Sequence, residues 1–214
     1  EDVSAAVRAA YFDDNIFMVV LQRQYSASRE LDDFMEQLAE HPEIANDAST
    51  LKYKAALERG RDNENILNES YLAQKMCASV VFGDIIQLLH VKSGRFLTVM
   101  PGNLAKVERE NLSVMLTPSG NSMSWLQMMP RYKIDREGDV IKSGTEVFLK
   151  AAERTNEFIH LADKDPAPGT KREVNCSLES SSLSLSVVPR KFFSTVRAIT
   201  MTPRSPLCAS IGPS

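Results

Sequence analysis

Three histidines, His41, His90 and His160, are the side chains of this 214-residue chain best suited to move a proton or ligate a metal at neutral pH. Their surroundings are unrelated. His41 precedes a proline, His160 sits in an apolar run, and His90 ends one apolar stretch just before the polar turn Lys92-Ser93-Gly94-Arg95. His90 therefore reads as a histidine that caps local backbone groups, in preference to a ligand for sugar or metal. The paired carboxylates Asp13-Asp14 and Asp32-Asp33 fall on a strand entry and a helix face, where they read as solvated surface. No G-x-x-x-x-G-K-[ST], G-x-S-x-G or H-E-x-x-H spacing occurs. Neither an enzyme activity nor a cofactor is expected.

Phosphate recognition would need cations that converge in space. Lys92 with Arg95, Arg131 with Lys133 and Arg136, and Lys171 with Arg172 lie in three separate polar stretches, the second and third mixed with acids. Ordinary surface charge is the expectation. Trp125, the single tryptophan, reads as core rather than as a platform for a ligand. Cys77, Cys176 and Cys208 are too few and too scattered for a disulfide framework or a metal site, so a reducing compartment fits best. Asn68, Asn111 and Asn175 each open an N-x-S sequon, which matters only for a lumenal segment. The formal charge of -3 gives no general attraction to nucleic acid or anionic membranes. No run of about 18 apolar residues occurs, so none of the chain is expected to cross a bilayer as a helix.

The elements that position these groups are set by an internal repeat. FGDIIQLLHVKSGRFLTV, from Phe82 to Val99, returns from Gly144 as GTEVFLKAAERTNEFIHLA, with one extra residue in the second turn. Gly83 aligns with Gly144, Ile86 with Val147, Leu88 with Leu149, Phe96 with Phe158, Leu97 with Ile159, and Val99 with Leu161. Each copy alternates apolar residues two apart, then turns, then alternates again, the pattern of a β-hairpin. A further apolar run closes each copy, Trp125 to Pro130 after the first and Leu183 to Pro189 after the second. Each repeat thus spans roughly 60 residues with about four short strands.

Two such repeats leave open sheet edges, which closed barrels avoid, so a third copy is expected. Its tail is visible at Asn15 to Leu21, NIFMVVL, and its hairpin is not. The expected fold is mainly β: a β-trefoil over 1–188 with its first leaf largely missing, cut from a longer polypeptide, followed by a linker or disordered tail over 189–214. The shortfall predicts an unpaired barrel edge and an apolar patch. Between leaves one and two, at about 26–76, the period changes. Ser26 or Ser28 can cap a helix carrying Leu31, Phe34, Met35 and Leu38 on one face, and a second helix from Asp47 or Ser49 carries Tyr53, Leu57, Leu67 and Tyr71. Gly60 and Glu64 interrupt that second stripe. A two-helix arm inserted into the trefoil follows.

LLHVKSGRFLTV resembles the MIR motif, found in protein O-mannosyltransferases, ryanodine receptors and inositol trisphosphate receptors. RQYSASR at Arg23 to Arg29, Gly83 to Val99, Asn111 to Thr117, SWLQMMPRYK at Ser124 to Lys133, Ile141 to Leu149 and EVNCS at Glu173 to Ser177 resemble, in this order, pieces of the N-terminal domain of the inositol trisphosphate receptor family. The likeness runs from Asn15 to about Val188. It departs after EVNCS, where serine and leucine replace a tryptophan.

The resemblance implies the cytosolic N-terminal, or suppressor, domain of a ligand-gated calcium-release channel in the endoplasmic reticulum or a related store membrane. It implies a homotetramer in which inositol trisphosphate is held by arginines and lysines of the domains that follow, not by this segment. This domain would modulate ligand affinity and couple binding to pore opening through contacts with neighbouring ligand-binding domains and subunits. It also implies an interface at Arg131, Tyr132 and Lys133, a loop at the barrel rim where Tyr132 either meets a partner or closes the core. The alternatives are a ryanodine-receptor-type domain, against which RQYSASR argues, and a glycan-binding or mannosyltransferase-associated MIR trefoil, against which the arm and the scattered cysteines argue.

Overall fold

A computed structural model describes residues 16–75, 78–142, 144–162, 173–178, 183–184 and 198–200. The elements are strand β1 (Ile16–Leu21), helices α1 (Ser26–Glu40) and α2 (Ala48–Gln74), and strands β2 (Ile85–His90), β3 (Arg95–Leu104), β4 (Leu112–Thr117), β5 (Leu126–Pro130), β6 (Glu146–Ala151), β7 (Phe158–Leu161), β8 (Val174–Ser177), β9 (Leu183–Ser184) and β10 (Ala198–Thr200).

The repeat is real in three dimensions. Ile86, Leu88, Val147 and Leu149, the aligned apolar positions, are all wholly buried. The hairpin β2–β3 pairs Leu89 with Phe96 and the hairpin β6–β7 pairs Lys150 with Phe158, which are equivalent positions of the two copies. Both turns place one residue in the left-handed region, Gly94 at φ 64° and Asn156 at φ 56°, and asparagine tolerates that region better than other residues with a Cβ. The link between leaves repeats too. β1 pairs with β2 from Phe17↔His90 to Leu21↔Ile86, and β5 with β6 from Leu126↔Ala151 to Pro130↔Val147, again the same register. This identifies β1 as the closing strand of leaf one.

The strand pairings form two closed circuits. One runs β1–β2–β5–β6–β9–β10 and back to β1; the other runs β2–β3–β4–β8–β7–β6–β5 and back to β2. Phe82, Leu126, Met128 and Ile159 fill the centre with the aligned residues named above, each such side chain contributing about 1.5–3 kcal/mol by burial. The fold is thus mainly β and trefoil-like, with two helices inserted between β1 and β2. Among the described residues both circuits close, so the unpaired edge forecast from the shortened first leaf does not appear there. Within 189–214, Ala198–Thr200 pairs with β1 and with β9, and the other residues of that stretch lie outside the described residues. The last expected strand is seen at Leu183–Ser184, and 185–188 lie outside the described residues, as do Asp13, Asp14, Cys77 and Cys208.

The arm forms as its periodicity requires, with differences. Leu31 of α1 and Leu57 of α2 are buried, and Phe34 meets Tyr53 edge to face at 5.0 Å. Ala27 lies against Gly60 and, further along α1, Phe34 lies against Tyr53, so the two helices run antiparallel. Asp47 caps α2 by accepting from the Ala48 N–H at 3.1 Å. Neither Ser26 nor Ser28 caps α1, whose N-cap is Tyr25, a side chain that makes no bond to the helix's own N–H groups. Leu67 and Tyr71 point to solvent, and Asn68 takes the buried position beside them.

Candidate interaction surface

Pro130 ends β5 opposite Val147, and the chain leaves the barrel there. Arg131 reaches back to Glu146, with Nη1 2.6 Å from Oε2, and the Tyr132 hydroxyl donates to the same oxygen at 3.0 Å. The Arg131 guanidinium lies 5.4 Å from the centre of the Tyr132 ring, a cation–π geometry. Tyr132 is 45% exposed and is not part of the core. Lys133 is exposed and Ile134 stands 85% exposed beside it. Sequence reasoning missed Ile134, because its charged neighbours made the stretch look uniformly polar.

The loop that presents these residues is tied to the barrel by main-chain bonds. Phe82 N–H donates to the Asp139 carbonyl at 3.0 Å and Gly138 N–H to the Phe82 carbonyl at 2.9 Å, while Val81 bridges Val140. Asp139 Oδ2 accepts from the Arg136 N–H at 2.8 Å. An aromatic, an arginine and an apolar residue are thus set on a braced ridge. Ordering them on a partner costs less entropy than ordering a free loop, and tyrosine and arginine are the side chains that most often carry binding energy at interfaces.

A second set of contacts sets the attitude of the arm. RQYSASR spans the junction between barrel and arm, and its first three residues are held from both sides. From the barrel, Gln87, wholly buried, accepts from the Arg23 N–H at 3.2 Å and donates to the Tyr25 hydroxyl oxygen at 2.8 Å. Tyr25 in turn donates to the Ser119 carbonyl at 3.3 Å, and the Trp125 indole N–H donates to the Arg23 carbonyl at 2.9 Å. From the arm, Asn68 accepts from the Gln24 N–H at 2.8 Å and donates to its carbonyl at 2.9 Å. Gly120 is required at this seam: its φ is 67° and a Cβ there would stand 2.9 Å from Tyr25 Oη. Trp125, expected in the core, is half-buried and closes the seam instead. Burial pushes the Tyr25 phenol above its ordinary pKa, against the hydrogen bond from Gln87 and the nearby Arg23 charge.

The family model described as "Inositol 1,4,5-trisphosphate/ryanodine receptor" matches residues 5–191. The chain belongs to this family. It is 30% identical over 138 residues to the inositol 1,4,5-trisphosphate receptor itr-1 of Caenorhabditis elegans, a match that covers 64% of this chain and 5% of that relative. The chain therefore spans a small part of that receptor's length.

The histidines of this family member lie in three separate settings. His41 is exposed beside Glu43 at 3.3 Å. His90 is buried, its Nδ1 2.8 Å from Ser93 Oγ and its ring 5.2 Å from that of Phe17. His160 is buried with its Nε2 3.5 Å from Glu108 Oε2, an oxygen that also accepts from Asn175 at 2.8 Å and from Asn111 at 3.0 Å. Among the described residues, no group of three His, Cys, Asp or Glu is placed to hold a metal ion. A cleft of about 420 Å³ lies beside this cluster, lined by Glu108, Asn111, Arg154, Glu157, Cys176 and Leu178 among others. Arg154 and Glu157 pair across two bonds of 3.0 and 2.8 Å. Burial, and then the Glu157 charge, push the Cys176 thiol up to about 12, which leaves it without thiolate at neutral pH.

The three sequons are built into the fold. Asn68 and Asn175 are buried, and the Asn111 amide donates to Glu108. Four of the described arginines are paired with carboxylates on separate parts of the fold: Arg23 with Glu69, Arg61 with Asp62, Arg131 with Glu146 and Arg154 with Glu157. Lys171 and Arg172 lie outside the described residues.

Proposed function

We propose that this chain is the N-terminal regulatory domain of an inositol trisphosphate-gated calcium-release channel, and that it couples ligand binding to pore opening through the ridge Arg131-Tyr132-Lys133. The observation that carries this reading is the fixing of Tyr132 outward by Glu146 and Arg131 on a loop braced against the barrel. Such a ridge meets a neighbouring domain or subunit without first being ordered. The ligand is held elsewhere, in the domains that follow, since three phosphates need several converging cations and Arg23, Arg61, Arg131 and Arg154, on separate elements, each face a carboxylate. The subunits assemble as a homotetramer, and this domain sits on the cytosolic side of the endoplasmic reticulum or a related store. The buried sequons support that side, because an asparagine whose amide is bonded inside a folded domain is a poor acceptor for a glycan. The likeness to itr-1, together with the RQYSASR junction, favours the inositol trisphosphate receptor over the ryanodine receptor branch.

The test is Tyr132→Ala in the whole channel. Thermal stability should hold, because the ring contributes nothing to the core, and ligand-evoked calcium release should fall. A large drop in stability would move Tyr132 into the core, and unchanged release with unchanged stability would remove it from the interface.

A further inference from the structure

The helices of the arm pack on each other and leave two outer sides of opposite character. At about 3.6 residues per turn, positions 52, 56, 59, 63, 66, 67, 70, 71 and 74 share one side of α2, while Leu57 and Asn68 are buried on another. All of these positions are exposed, and none holds an acid. Lys52 and Arg59 supply charge there; Ile66 and Leu67, 66% and 69% exposed, and Tyr71 supply apolar area. The acids of α2 are engaged elsewhere: Glu64 turns inward to α1, and Glu58, Asp62 and Glu69 meet Lys54, Arg61 and Arg23.

The outer side of α1 is the reverse. Its exposed positions carry Glu30, Asp32, Asp33, Glu36 and Glu40 against Arg29 alone. Among the described residues none of these five carboxylates has a cation within ion-pair distance. Asp32, Glu36 and Glu40 stand four apart, a like-charge spacing that works against the helix unless cations reach it from outside. We propose that the acidic side of α1 in one copy of the chain docks on the acid-free side of α2 in a second copy. The spacing fits as well as the sign does: Lys52 and Arg59 are about two turns apart, and so are Asp33 and Glu40. Laid parallel, Asp33 meets Lys52, Glu40 meets Arg59, and Ile44, exposed just past α1, comes toward Asn63 and Ile66. Laid antiparallel, the charges match equally, but Ile44 is carried to the start of α2 and the apolar half stays uncovered. The parallel arrangement is therefore favoured. Because the contact joins different sides of the two chains, it is heterologous and can repeat into a ring. It does not involve the ridge at Tyr132.

The experiment is sedimentation of the full 214-residue chain from about 1 μM to about 1 mM, the range of weak to moderate association. The mean mass should rise with concentration, and the rise should weaken in about 0.5 M salt. Lys52→Glu with Arg59→Glu makes both sides acidic, and Asp33→Lys with Glu40→Lys turns α1 towards the charge of α2. Each variant should need at least an about tenfold higher concentration for half-assembly. An equimolar mixture of the two should assemble again, since each then offers the other an opposite charge, and that recovery also shows both to be folded. Lys52→Gln with Arg59→Gln, at the same exposed positions, should weaken assembly in the same direction. A chain that stays monomeric throughout would give this side of α2 to a different protein and overturn the proposal. Association indifferent to both reversals would overturn it too, as would a mixture that stays apart while each variant keeps the circular dichroism of the unaltered chain.

Discussion

Glu64, deep in the second helix, caps the first: its carboxylate accepts from the Ser26 hydroxyl at 2.7 Å and from the Ala27 N–H at 3.0 Å. Ser28 N–H adds a third bond at 3.3 Å. The helix start that lacks a local side-chain cap is thus satisfied across the helix pair, and the arm's two helices are locked in one register.

Desolvation pushes the Glu64 carboxyl up, but the Ser26 hydroxyl and the N–H groups of Ala27, Ser28 and Ser26 outweigh it and hold the pKa below the usual glutamate value. A depressed folded-state pKa stabilises the fold above the ordinary carboxylate range, and that stability is lost as pH falls through the folded value. Glu64→Ala should therefore lower stability at pH 7 by about 1–2 kcal/mol, the scale of a lost cap. Its deficit should shrink below about pH 4. Chemical denaturation at both pH values measures it; a deficit that does not change with pH would mean the carboxylate charge plays no part.

How far the sequence foretold this arrangement depends on whether a residue's role was local. The hairpins, the paired copies and the closing strands were legible because strand alternation and turn residues are local signals, and the structure places Leu89 and Lys150 in matching registers as the alignment requires. Gly60 and Glu64 looked like defects in an apolar stripe. They are instead where Ala27 comes close and where the other helix is capped, facts that exist only once two helices meet. Asn68 and Gln87 were passed over for the same reason: each is buried to satisfy the backbone or side chains of the junction, residues distant in sequence. Trp125 was read as core because tryptophan is large and apolar, but its indole N–H needs an acceptor, and the Arg23 carbonyl at the seam supplies one. The pairing of 198–200 with β1 carried no local signal at all.

Cys176 should be nearly inert in the folded domain. With its thiol pushed up to about 12 by burial and by Glu157, alkylation at pH 8 should proceed at least about a hundredfold more slowly than in the denatured chain. Mass spectrometry of the Cys176 peptide after timed iodoacetamide exposure gives the ratio. A rate close to that of a free thiol would show that the cleft beside Glu108 and Arg154 opens readily.

The isolated segment should not bind inositol trisphosphate at micromolar concentration. Each arginine ion pair would have to break before its cation could face a phosphate, and the pairs lie on separate elements. Titration calorimetry should give only dilution heat, and a saturable curve would reveal a site within this domain.

The most direct test of a coupling domain is to remove it from the whole receptor and measure inositol trisphosphate binding and ligand-evoked calcium release on the same preparation. If the proposed function holds, with the ligand held by other domains and the signal carried through the ridge at Tyr132, binding should persist with an altered affinity while release is lost. Release that follows binding as it does in the intact channel, or the disappearance of binding itself, would contradict this account.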